Sequence, residues 1–90
     1  MARYLIESPH TDAECLQALD EVLKEGGKGM LSKFDWGCMA GDHRGWAIVE
    51  TDSESAALNM VPSTVRNKAH VVKLNKFTPK DLEQAHKMKV

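Results

Sequence analysis

The spacing of apolar residues changes several times along this chain, and each change marks an element. Arg3-Tyr-Leu-Ile-Glu-Ser8 is short, rich in strand-forming residues and closed by Pro9, which predicts a first strand. Thr11-Asp-Ala-Glu14 has the spacing of a capping box, in which hydroxyl and carboxylate satisfy each other's backbone amides. Behind it Cys15, Leu16, Leu19, Val22 and Leu23 recur at helical intervals, predicting a helix that Gly26-Gly27 stops. Leu31–Ala40 and Gly45–Thr51 read as two strands on either side of Gly41-Asp-His-Arg44, a tight turn. Asp52-Ser53 caps a shorter helix through Ala56, Ala57, Met60 and Val61. Pro62 interrupts it, and Ser63–Ala69 follows as an irregular turn. His70–Phe77 predicts a fourth strand. Thr78, with proline after it at the first helical position, opens a last helix.

The predicted order is β-α-β-β-α-β with a C-terminal helix. That is an α+β, ferredoxin-like arrangement. Right-handed crossovers would give a four-stranded antiparallel sheet in the order 4-1-3-2. Its strands are apolar on both faces: Tyr4 and Ile6 against Leu5, Trp46 and Ile48 against Ala47 and Val49, Val72 and Leu74 against Val71 and Phe77. A sheet covered by helices on one side alone alternates more cleanly. The second face therefore calls for another copy, and a homodimer packed sheet to sheet is expected.

Composition narrows the classes. Ninety residues are expected to form one domain over residues 1–90, and a chain this short has a marginal core. Metals, disulfides and oligomerisation are the usual supplements. Twelve basic against thirteen acidic residues leave a net charge of -1, which argues against nucleic acid as a partner. No apolar run is long enough to span a membrane, and Met1-Ala2-Arg3 leads into a strand rather than a signal segment. A cytoplasmic protein with reduced thiols is the expectation.

The chain resembles the dimeric α/β-barrel superfamily, and within it small bacterial members with no assigned activity. The resemblance covers essentially all of it. It rests on the element order, on "SPHT" at the entry to the first helix, on "WGCMAGDH" at the hairpin and on "VPSTVRNKAHVV" before the last strand. It implies a ferredoxin-like dimer. The superfamily includes cofactor-independent monooxygenases, muconolactone-isomerase-like enzymes, haem-handling and metal-binding proteins, so it does not fix an activity. No catalytic set of any of these enzymes matches residue by residue.

The topology gathers chemistry at one end of the sheet. His10 follows strand one, Cys15 opens helix one, Cys38 ends strand two, His43 lies in the hairpin, Arg66 follows Pro62 and His70 starts strand four. Only His86 is left out among the histidines. Three chemistries compete for this end. His10, Cys38, His43 and His70 are donors suited to zinc, nickel, copper or iron, although no CxxC or HxxxH pair is present. Alternatively Trp36, Cys38, Arg44 and Arg66 would line a small-molecule pocket. There the arginines, aided by the first helix's N-terminus, would hold a carboxylate, and Trp36 and Trp46 would wall it. In the third reading His10 or His43 is the general base of an isomerase- or monooxygenase-like enzyme, with Cys38 a candidate thiolate. Against all three stands a structural module with solvated histidines. Cys15, on the apolar stripe of helix one, is expected to be inert core.

Overall fold

A computed structural model of the chain describes residues 1–88. β1 (Ala2–Pro9) leads through a 3₁₀ turn to α1 (Cys15–Lys33), then β2 (Asp35–Trp36), a second 3₁₀ turn at Cys38–Ala40, and β3 (Arg44–Thr51). α2 (Glu54–Leu58), a 3₁₀ turn at Arg66–Lys68, β4 (His70–Leu74) and α3 (Pro79–Lys87) complete it. The four strands form one open antiparallel sheet in the order β2-β3-β1-β4. This α+β arrangement is compatible with a ferredoxin-like fold.

β1 is the central strand. It pairs with β3 from Ala2↔Thr51 to Pro9↔Arg44 and with β4 from Arg3↔Leu74 to Glu7↔His70. Strand alternation sorts the side chains onto two faces. Tyr4, Ile6 and Ser8 on β1 and Gly45, Ala47 and Val49 on β3 are buried on the helix-covered face. Phe34, Ala57, Val61 and Val65 close the core over them. The other face carries Leu5 with Ile48 and Val72 beside it in register. Ile48 is 58% and Val72 52% exposed, so this face is left uncovered by the described residues.

Several predicted boundaries move, for physical reasons. The inward stripe of α1 is Cys15, Ala18, Leu19 and Val22, an i, i+3, i+4, i+7 set in which Ala18 and Val22 are buried and Cys15 and Leu19 half-buried, while Leu16 and Leu23 of the predicted stripe face solvent. Gly27 does break the helix, at φ 75°, a conformation glycine adopts without a Cβ clash. Helical backbone then resumes to Lys33, so Leu31–Lys33 are helical and the predicted strand Leu31–Ala40 shrinks to Asp35–Trp36. Ser53 caps α2 through the Ala56 amide, but the helix ends at Leu58, short of Met60 and Val61. β4 stops at Leu74 rather than Phe77. Thr78 and Asp81 form a full capping box at α3, with Pro79 where it was expected.

Ile6 is fully buried at the centre of the core, whereas Leu16 is 70% exposed. Ile6→Ala is expected to cost about 2–5 kcal/mol of unfolding free energy. Leu16→Ala should stay within about 0.5 kcal/mol of wild type. Urea unfolding of the two variants measures both.

Candidate metal centre

One backbone hydrogen bond positions the site. The His10 amide donates to the His43 carbonyl at 3.0 Å, one step beyond the Pro9↔Arg44 pair, so the β1–β3 register continues into the two loops. His10 has the same parity along the chain as Ile6 and Ser8. It therefore turns to the helix-covered face, where it is 7% exposed.

The capping box at Thr11 fixes where the first helical turn begins. The Thr11 side chain accepts from the Glu14 amide, and Glu14 accepts from the Thr11 amide at 2.8 Å. Lys68 Nζ adds an ion pair at 2.7 Å to the same carboxylate, and together they pull the Glu14 carboxyl down to about 2. Cys15 is the next residue and starts α1 on its buried side. On the facing loop, the Gly37 amide donates to Arg44 and the Asp42 amide returns to Gly37, closing a compact turn that contains Cys38. Gly41, at φ 89°, reverses the chain there.

These supports bring His10, Cys15, Cys38 and His43 together. One donor atom from each lies within 4.8 Å of all the others. His10 Nε2 is 3.1 Å from Cys38 Sγ. A tetrahedral ion with metal–sulfur bonds of about 2.3 Å and metal–nitrogen bonds of about 2.0–2.1 Å would space its ligands roughly 3.3–3.8 Å apart. A contraction of about 1 Å at the widest pair meets that requirement. The buried side-chain atoms lacking a hydrogen-bond partner among the described residues are His10 Nδ1, His43 Nδ1 and Trp36 Nε1, all at this end. His43 Nε2 faces Asp12 Oδ1 at 3.4 Å, which leaves its buried Nδ1 as the nitrogen free to ligate. A carboxylate behind an imidazole holds its tautomer and orientation for a metal.

Burial sets the charge state. It lowers the His10 pKa below its ordinary 6.5, with the Ser8 backbone opposing and His43 reinforcing the shift, so the ring stays neutral. Burial also pushes the Cys38 thiol up to about 11, with the neighbouring Cys15 sulfur adding to the effect. Neutral imidazole is the form that binds metal, whereas the Cys38 proton must leave.

The remaining candidates lie elsewhere. His70 shares the end of the sheet but sits opposite Glu7, on the uncovered face, and is exposed. It is therefore not among the clustered donors. Cys15, expected to be inert core, is half-buried and is one of the four. Cys38 lies in the 3₁₀ turn rather than on the end of a strand. Arg44 is on the uncovered face. Its guanidinium grips Asp42 twice, at 2.6 and 2.8 Å, reaches Glu7 at 3.0 Å and lies over Trp46. Arg66 donates to the carbonyls of Val61 and Asn59 and so ties down the chain after α2. Trp36 stacks on Phe34 and tilts against His10, walling the cluster. A cavity of about 120 Å³ lies between Val22, Met30, Met60 and Pro62, and none of the four clustered donors lines it. No helix among the described residues is long and apolar enough to cross a membrane. No protein-family model, curated protein or solved structure matches the chain.

Two titrations limit the metal-free protein. The depressed His10 pKa gives stability that is present above 6.5 and lost as pH falls below it. The raised Cys38 pKa gives stability that is present below the ordinary 9.0 and lost as pH rises toward about 11. Melting temperature in the presence of chelator should therefore be highest between these limits and fall on both sides. Cys38→Ser should flatten the alkaline limb.

Proposed function

We propose that this chain is a metal-binding protein that holds one transition-metal ion between His10, Cys15, Cys38 and His43. The observation that carries the reading is the convergence of four nitrogen and sulfur donors, from two segments far apart in sequence, on one half-buried point. Two thiolates and two imidazoles suit zinc foremost, and nickel or copper by the same donors. Four protein ligands complete a tetrahedron and leave no position for substrate, which makes the site structural rather than catalytic. Its role is to clamp the β1–α1 turn to the Gly37–Arg44 loop in a domain with a small core.

Zinc titrated into chelator-stripped protein should bind one ion per chain. At free metal 100-fold above Kd the gain is about 2.7 kcal/mol, which raises the melting temperature by roughly 10–20 °C for a domain of this size. Cobalt at the same site should show the intense visible bands of a tetrahedral ion together with thiolate charge transfer. Cys15→Ser, Cys38→Ser or His43→Ala should each weaken binding by more than the roughly 10–100-fold that an outer partner such as Asp12 is worth. His70→Ala should leave it unchanged. Loss of the Cys38 proton makes affinity rise with pH, by up to about tenfold per unit from that thiol. Absence of stoichiometric metal, or equal binding by the Cys15 variant, would overturn the reading.

We further propose that the uncovered sheet face is the interface of a homodimer, as in the dimeric α/β barrels. Leu5, Ile48 and Val72 form an apolar row across three strands, flanked on β1 by Arg3 and Glu7. Stacking two copies with their β1 strands antiparallel sets Arg3 over the partner's Glu7 while the apolar rows meet. α3 contains no buried residue; its Leu82, 54% exposed, and Phe77 just before it, 75% exposed, supply further apolar surface for the partner to cover. Sedimentation equilibrium should give twice the chain mass, and Val72→Glu should give the monomer.

A further inference from the structure

The two cysteines offer a second chemistry at the same place. Both are free, both are half-buried, and their sulfur atoms are among the donors within 4.8 Å of one another. We propose that Cys15 and Cys38 are a dithiol–disulfide couple that a hydroperoxide closes into a disulfide across the site, and that disulfide and metal exclude each other. The exclusion rests on the metal site proposed above. The disulfide itself rests only on the positions of the two sulfurs.

The surroundings favour closure. A disulfide requires sulfurs about 2.0 Å apart and β-carbons about 3.5–4.5 Å apart. Side-chain rotation covers much of the remaining gap. Cys15 is fixed at the start of α1, but Cys38 belongs to a short 3₁₀ turn whose next three residues, Met39, Ala40 and Gly41, are exposed. Closure therefore shifts an exposed turn and leaves the core residues in place. Half-burial admits a small peroxide and shields the thiols from bulkier oxidants. His10 Nε2 lies 3.1 Å from Cys38 Sγ and takes the thiol proton only as the sulfur attacks, because burial of both groups opposes the ion pair at rest.

Cys38 Sγ gives its proton to His10 and attacks one peroxide oxygen. The O–O bond breaks, the alcohol leaves with the proton from His10, and Cys38 becomes a sulfenic acid. Cys15 Sγ then attacks that sulfur. The S–O bond breaks, the S–S bond forms, and water leaves with the Cys15 proton. Two electrons pass from the pair of sulfurs to the peroxide. Starting from the metal-bound dithiolate, the same oxidation takes up two protons from solvent and frees the ion, because a disulfide has lost the charge that held it.

The test uses the full chain, stripped of metal and then reloaded with zinc. Equimolar hydrogen peroxide should lower the thiol titre of the stripped protein from two per chain to none. Non-reducing peptide mapping should show one intramolecular Cys15–Cys38 link, and dithiothreitol should restore both thiols. Cys15→Ser should instead leave Cys38 as a sulfenic acid that dimedone traps. In the zinc-loaded protein a metallochromic dye should report one ion released per disulfide formed. Thiols that stay reduced under peroxide sufficient to oxidise the exposed Met39, or that go separately to sulfinic acids, would overturn the couple. A disulfide that forms in a protein binding no zinc would uphold the couple, remove the exclusion and refute the metal site. Zinc retained by the disulfide form would refute the exclusion alone.

Discussion

The hydrogen bond from the His10 amide to the His43 carbonyl is the hinge of this molecule. It extends the β1–β3 ladder by one rung past the last pair and holds two loops side by side. With that rung in place, strand parity sends His10 to the helix-covered side, and its backbone link keeps His43 adjacent. The capping box at Thr11 then settles where α1 starts, and so where Cys15 sits. The tight turn closed by Gly37 and Asp42 does the same for Cys38. Four donors with no recognisable spacing in sequence meet because three local backbone devices share a frame.

The two faces of the sheet divide the polar chemistry. On the helix-covered side the end of the sheet holds His10 and Cys38, kept uncharged by burial, beside His43 and Cys15. On the uncovered side Arg44, Asp42 and Glu7 form a charged network that stays wet and lies over Trp46. A single residue step along β1, from Glu7 to Ser8, crosses from one environment to the other. That is why His10 and His70, both at the same end of the sheet, differ so much. His10 has the parity of Ser8, whereas His70 is paired with Glu7.

Element order, the breaks at Gly27 and Gly41 and the capping residues could all be read from local spacing. So could the gathering of His10, Cys38 and His43 at one end, which follows from strand direction alone. The capping box and strand direction also bring Cys15 to that end, but a cysteine on an apolar helical stripe reads as packing, so its place among the four donors is visible only in the structure. His70 was included because direction gives the end of a strand but not its face. The predicted strand Leu31–Ala40 is too long because Leu31–Lys33 suit a resumed helix as well as a strand and Cys38–Ala40 close into a 3₁₀ turn. Arg44 and Arg66 looked free in sequence, and only tertiary geometry shows their guanidinium groups taken up by carboxylates and carbonyls.

The placement of β1 has a bearing on the order of events during synthesis. Its two neighbours in the sheet are β3 and β4, both later in the chain, and β2, the next strand made, is not adjacent to it. Such non-local pairing delays sheet formation, since loop closure must precede any gain from it. The four donors all lie between residues 10 and 43, and β3 begins at residue 44. A chain growing from its N-terminus therefore exposes all four donors before β1 has a single partner strand.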